Sequence, residues 1–222
     1  MSKATSSNRK HRSKGEQTRQ LILQGALSVI ARDGLRGVTH RAVAAAAGVQ
    51  LSLTTYYFKD IDSLIEQAFA LFSEQARPNN ELIWQELFIY LDQFSAADLR
   101  RKSTREKICI DIAERATEIL VNGVRAKPEG LAVEQVFFTA AQQAPGLREL
   151  AAEHRRSLLL PLVELLRRFN RDDPEIDAEL LLDTMTRLEY EALLVDADAI
   201  DQAHIERLLR RLVGWALGLK RA

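Results

Sequence analysis

The sequence predicts an all-α protein, and three observations carry that expectation. Apolar residues recur at three- and four-residue spacing, as in Ile22, Ala26, Val29 and Ile30, which share one helical face. No segment alternates apolar and polar residues long enough to make a strand. Helix-ending residues stand where the periodic segments stop: Gly34, Gly48, Pro78, Pro145-Gly146 and the run "RDDPE" at 171–175.

Each element follows in order. Residues 1–14, "MSKATSSNRKHRSK", show no apolar periodicity and read as a flexible basic arm. A first helix opens at Glu16 and stops at Asp33-Gly34. Thr39, a hydroxyl ahead of a helical run, is the expected N-cap of a second helix over 40–47, and Gly48 its left-handed stop. A third, short helix spans 50–57. Asp60 caps a fourth, which Pro78 is expected to end, and "ELIWQELFIYLDQF" makes a separate helix over 81–94. Ser103 and Glu106 are spaced as a capping box, opening a helix to Asn122. A helix ending at Pro145-Gly146 follows, then one over 147–170 that Pro161 is expected to kink or break. Two more lie near 175–195 and 202–220.

Composition narrows the class. A hydrophobic fraction of 46% and a charged fraction of 28% fit a folded globular chain. The single cysteine, Cys109, cannot form an internal disulfide, and the apolar run at 158–163 is too short to span a bilayer, so a cytoplasmic protein with no membrane partner is expected. The zero formal net charge hides a polarity. Residues 1–60 hold ten Lys and Arg against three Asp and Glu, a net +7, which leaves −7 on the other 162 residues. A basic head on an acidic body is the footprint of a nucleic-acid binder. Catalysis finds little support. His11, His40, His154 and His204 lie far apart, no phosphate loop, nucleophile elbow or zinc spacing is present, and no cofactor, metal or catalytic residue is assigned. Cys109, beside Ile108 and Ile112, reads as a buried small hydrophobe.

Three short helices, the second and third joined by a glycine turn, describe a helix-turn-helix. The alanines at 44–47 give the third helix clearance to cross the second closely. Thr39, His40 and Arg41 open the second helix near phosphate. Gln50, Leu51, Ser52, Thr54, Thr55, Tyr56 and Tyr57 form the reading helix, with Lys59 behind it. Gln50, Ser52 and Thr55 are expected at base edges, and Arg41, Tyr56, Tyr57 and Lys59 at phosphates.

Residues 21–69, from "LILQGALSVIARDG" through "THRAVAAAAGV" and "TTYYF" to "SLIEQAF", resemble the DNA-binding domain of the TetR (tetracycline-repressor-like) family of bacterial transcriptional regulators. Two positions depart from the family pattern. Thr55 stands where a tyrosine is usual, and Ile61 where a lysine often lies, so Lys59, Tyr56 and Tyr57 are the expected substitutes in phosphate contact. The resemblance implies an N-terminal helix-turn-helix domain over 15–59, then a helical effector-binding and dimerisation domain over 60–222. It also implies a homodimer on a palindromic operator in double-stranded DNA, released by a small-molecule effector. The competing reading is a DNA-binding protein whose helical body recruits a protein partner.

Two features of the body fit the first reading. Trp84, Phe88, Phe94, Phe137 and Phe138, with Asn122 and Gln142, suit an apolar cavity, and the resemblance implies one in the middle helices. The last two helices carry wide apolar stripes. Leu181, Met185 and Leu188 on one, and Leu208, Leu212, Trp215 and Leu219 on the other, are the expected dimer interface as a four-helix bundle.

Overall fold

The computed structural model describes residues 3–170 and 172–219, and among them it contains nine α-helices and three short 3₁₀ turns. The helices are α1 (Lys3–Asp33), α2 (His40–Ala47), α3 (Leu51–Tyr57), α4 (Ile61–Leu91), α5 (Lys102–Ala126), α6 (Pro128–Gln143), α7 (Pro145–Arg167), α8 (Pro174–Ala192) and α9 (Gln202–Ala216). They divide into two compact units. One holds residues 1–76 and 133–151, the other 77–132 and 152–222. The first unit therefore extends past the Lys59 boundary expected from sequence and takes in a later stretch of chain.

Three boundaries depart most from expectation, each for a local reason. Helix α1 begins at Lys3 and not at Glu16, because the basic stretch before Gly15 contains no helix breaker and Lys, Arg and Ala are good helix formers. Pro78 lies inside α4, which runs on as one helix to Leu91. Proline removes one amide hydrogen bond, and the helix formers before it (residues 74–77) and after Asn79 and Asn80 (Glu81, Leu82) carry the helix through. Pro161 likewise lies inside α7. Ser103 does not cap α5: Arg101, in extended conformation, holds the N-cap position, and its carbonyl accepts the first helical bond from Arg105 N–H at 3.1 Å.

In the first unit the core is built by α1, where Ile22, Leu23, Ala26, Val29 and Ile30 are buried. Val43, Phe58, Leu64 and Phe69 meet them, and Phe69 stacks on Phe137 with ring centroids 4.4 Å apart. The alanine run meets α1 as well as α3. A Cβ added to Gly25 would lie 2.8 Å from both the Cβ and the backbone N of Ala47, and 3.0 Å from the Val43 carbonyl. Only glycine lets α2 lie this close to α1.

In the second unit α5 is the central helix, packed against α8 and most extensively against α9. Ile108 and Cys109 join Leu166, Leu181, Val213 and Leu217 in one core cluster, while Leu120, Leu188, Ile205 and Leu209 make another. Helix α9 is capped at both ends. The Asp201 carboxylate accepts from His204 N–H at 2.9 Å, and Gly218, at φ 74°, turns the chain so that Leu219 N–H reaches the Gly214 carbonyl at 2.8 Å. One side chain ties the ends of three elements together. The Arg105 guanidinium donates to the carbonyls of Leu99 at 2.7 Å, Leu217 at 2.8 Å and Phe169 at 3.1 Å.

Candidate nucleic-acid interface and cleft

The geometry of the helix-turn-helix follows from its caps. Thr39 Oγ1 accepts from Ala42 N–H at 3.1 Å, which fixes the start of α2. Gly48 then adopts the left-handed conformation at φ 65°, ψ 32°. Its N–H reaches Ala45 O at 3.3 Å and Val49 N–H reaches Ala44 O at 3.0 Å, the paired bonds of a Schellman turn. Two residues later α3 begins.

Helix α3 has an inner and an outer face. Leu53, Thr54, Tyr57 and Phe58 point inward or lie half-buried, while Gln50, Leu51, Ser52, Thr55, Tyr56 and Lys59 are exposed. Thr54 is the correction among the expected DNA contacts: it is fully buried, and its hydroxyl donates to the Leu51 carbonyl at 2.8 Å. At helical period it falls on the same side as Phe58, so it braces α3. Tyr57 is half-buried, close enough to Gly15 that an added Cβ there would lie 3.2 Å from its hydroxyl. His40 is also half-buried, and its Nδ1 is buried without a hydrogen-bond partner. Thr39 and Arg41 are exposed beside it. Behind the reading helix, Arg19 lies over the Phe58 ring at 5.8 Å and donates to Gln67, which donates to Ser63 at 2.9 Å; Asp60 caps Ser63 N–H at 2.7 Å. Sequence reasoning did not foresee this chain of polar contacts, because Arg19 and Gln67 lie 48 positions apart.

Two family models now match. The model described as "Bacterial regulatory proteins, tetR family" covers residues 22–68, and the "Tetracyclin repressor-like, C-terminal domain" covers 111–215. The chain belongs to the TetR family. It is a TetR-family transcriptional regulator, and the helix-turn-helix just described is the family's DNA-binding domain. Solved structures agree on the fold. A transcriptional regulator from Rhodococcus sp. Rha1 is similar at 19% identity and TM-score 0.65, covering 90% of this chain and 96% of its own. A TetR-family member from Streptomyces coelicolor A3 is similar at 24% identity and TM-score 0.58, covering 88% and 97%. The multidrug binding protein EbrR, complexed with proflavin, is similar at 26% identity and TM-score 0.51, covering 88% and 99%. A search of curated proteins by sequence finds no match.

The second unit of this TetR-family chain carries an open cleft of about 540 Å³ between α4 and α5. Ile83, Leu87, Ile112 and Ile119 make its apolar lining; Glu86, Tyr90, Asp111, Glu114, Arg115, Glu118 and Asn122 make its polar one. Arg115 pairs with Glu86 across the two helices, and the Tyr90 hydroxyl donates to Asp111. Burial, then the neighbouring Asp111 carboxylate, pushes the Tyr90 phenol pKa upward. Of the residues expected to line an effector pocket, only Asn122 lies in this cleft. Trp84, Phe88 and Phe94 pack half-buried against the second unit's core, and Phe88 is covered by the Arg168 guanidinium at 5.0 Å. Phe137 is fully buried in the first unit, with Phe138 packed beside it, and Gln142 is exposed there.

The expected dimer residues also divide. Leu181, Leu188 and Leu219 are each no more than 5% exposed and serve the chain's own core. Helical period marks an apolar face without telling which part of it the chain itself covers. Met185, Leu208 and Leu212 are half-buried, and Trp215 remains 54% exposed with Arg211 over its ring at 5.1 Å. Ile176 and Leu180, at 55% and 53% exposure on α8, were not foreseen as surface residues. Among the described residues, no helix is long and apolar enough to cross a membrane.

Proposed function

We propose that this TetR-family regulator is a homodimeric repressor that holds a two-fold symmetric operator through α3 and is released by a small-molecule effector. The observation that carries the reading is the outer face of α3, where Gln50, Ser52 and Thr55 stand exposed on a helix braced from within by Thr54 and Phe58. The exposed cations Arg41 and Lys59 flank that face and supply phosphate contacts. Two-fold pairing is supported by the exposed apolar set Ile176, Leu180 and Trp215, which a second copy would cover. Release by an effector is supported by the cleft between α4 and α5, of a size that suits small molecules, and by the proflavin complex of EbrR.

A ligand shifts binding only by its preference for one state, typically about 1–3 kcal/mol of coupling. Coupling is reciprocal, so operator DNA weakens effector binding by the same factor that effector weakens operator binding. Genome-wide mapping of bound sites supplies the operator, and titrating a candidate effector with and without it supplies the test. Expected are a symmetric site bound by a dimer and an effector Kd raised by operator. Equal effector affinities in both conditions, for a ligand shown to occupy the second unit, would remove the switch. A protein that binds every duplex alike would remove the operator.

A further inference from the structure

The stretch from Ala42 to Phe58 contains no charged side chain, although it includes the whole reading helix. We infer that α3 reads A·T pairs, through thymine methyl groups and an adenine edge, and makes no bidentate guanine contact. The inference rests on the DNA-binding reading and names the class of operator it takes.

In the major groove each base pair shows a distinct pattern, and the commonest specific contact is Arg or Lys bidentate to guanine O6 and N7. Nothing on the exposed face of α3 can make it. Arg41 and Lys59 lie outside the uncharged stretch, one before it and one after, where they suit phosphates. What the face does offer is specific. Gln50 occupies the N-cap position of α3, yet its side chain makes no capping bond. Its amide is therefore free to donate to adenine N7 and accept from adenine N6. Leu51 follows, 44% exposed at the end of the helix that enters the groove first. The apolar group that base pairs present in the major groove is the thymine C5-methyl. One turn on, the Thr55 hydroxyl proton is committed to the Ser52 carbonyl at 3.1 Å. That leaves its methyl group for a second apolar contact and its oxygen as an acceptor.

The test uses the full-length protein. Binding sites are selected from a random duplex library, and affinities for the selected operator are then measured by fluorescence anisotropy at fixed salt. The half-site is expected to be A·T-rich at the positions under α3. Replacing its thymines by uracil removes only the methyl groups and is expected to weaken wild-type binding at least about 5-fold. Leu51→Ala, at an exposed position, is expected to narrow the difference between thymine and uracil operators, Leu51→Ala with Thr55→Ser to remove it, and Gln50→Ala to lose its preference at one A·T pair. Circular dichroism of these variants establishes that they fold. Two results would overturn the inference while leaving DNA binding intact: half-sites dominated by guanines whose 7-deaza forms bind poorly, or wild-type affinity indifferent to uracil. A library from which no sequence is enriched would bring down the operator reading on which this inference rests, and the absence of any duplex binding would bring down DNA binding itself.

Discussion

Replacing Arg105 by methionine keeps most of the side chain's volume and removes its five donors. Three carbonyls then lose their partner: Leu99 in the 3₁₀ turn before α5, Phe169 after α7, and Leu217 at the end of α9. A hydrogen bond to a charged group contributes about 1.5–3 kcal/mol, and an acceptor left buried costs about 1–3 kcal/mol. Arg105 is half-buried, so water recovers part of each loss and the lower end applies. About 1 kcal/mol for each bond gives about 3 kcal/mol for Arg105→Met. Arg105→Lys keeps the charge but not the planar fork, and is expected to recover about a third of that. Both tryptophans, Trp84 and Trp215, lie in the second unit, so urea unfolding followed by tryptophan fluorescence reports on the right part of the chain. With a urea slope of about 2–3 kcal/mol/M, the midpoint should fall by about 1 M. A loss under about 0.5 kcal/mol would refute the three-way clamp. Full rescue by lysine would show that charge, not the fork, carries it.

Other outcomes follow from single contacts. Gly25→Ala gains about 1 kcal/mol of helix propensity but drives a methyl into the Ala47 backbone, so a net loss of about 1–2 kcal/mol and a lower Tm are expected; an unchanged or raised Tm would mean that α2 moves away freely. Lys59→Ala should weaken binding to all sequences alike and reduce the salt slope by about one unit, measured as log K against log salt. Deleting residues 1–14 should cut affinity most at low salt, because Arg9, Lys10, Arg12 and Lys14 are removed, and equal low-salt affinity would assign that stretch no DNA contact. The Cys109 thiol is buried, which pushes its pKa upward, and should resist a disulfide reagent until the protein unfolds. Ser95 donates to Asp98 from Oγ and N–H, holding that carboxylate below its usual range. A depressed pKa gives stability that is present above the unfolded value and lost as pH falls through the folded one. Ser95→Ala and wild type should therefore differ near neutral pH and converge in acid, as followed by thermal melts.

The helix-turn-helix was legible because its signals are local. Thr39 caps within three residues and Gly48 turns within two, so both boundaries of α2 follow from neighbours alone. Pro78 misled for the opposite reason. A proline marks a lost bond, but whether the helix stops depends on everything else that holds it. The inner and outer faces of α3 needed the core: Thr54 and Thr55 are the same residue type, one fully buried and one exposed. The same holds for α8, where Leu180 and Leu181 are adjacent leucines at 53% and 4% exposure. The cleft depends on residues of α4 and α5 more than twenty positions apart, and composition marks no such meeting. Arg105 reaches Leu217 across 112 positions, and nothing near it in the chain announces the contact.

The two faces of α3 also separate inheritance from novelty. Thr54 and Phe58 bind the helix to its own protein, while the side chains of Gln50, Leu51 and Ser52 face outward from it. A change at an outward position alters which DNA is preferred at little expense to folding, since surface substitutions usually shift stability by no more than about 0.5 kcal/mol. A duplicated copy of this gene can thus drift toward a new operator through intermediates that all fold. Changes at Thr54 or Phe58 have no such freedom, because they put the whole head at risk before any new preference can be selected.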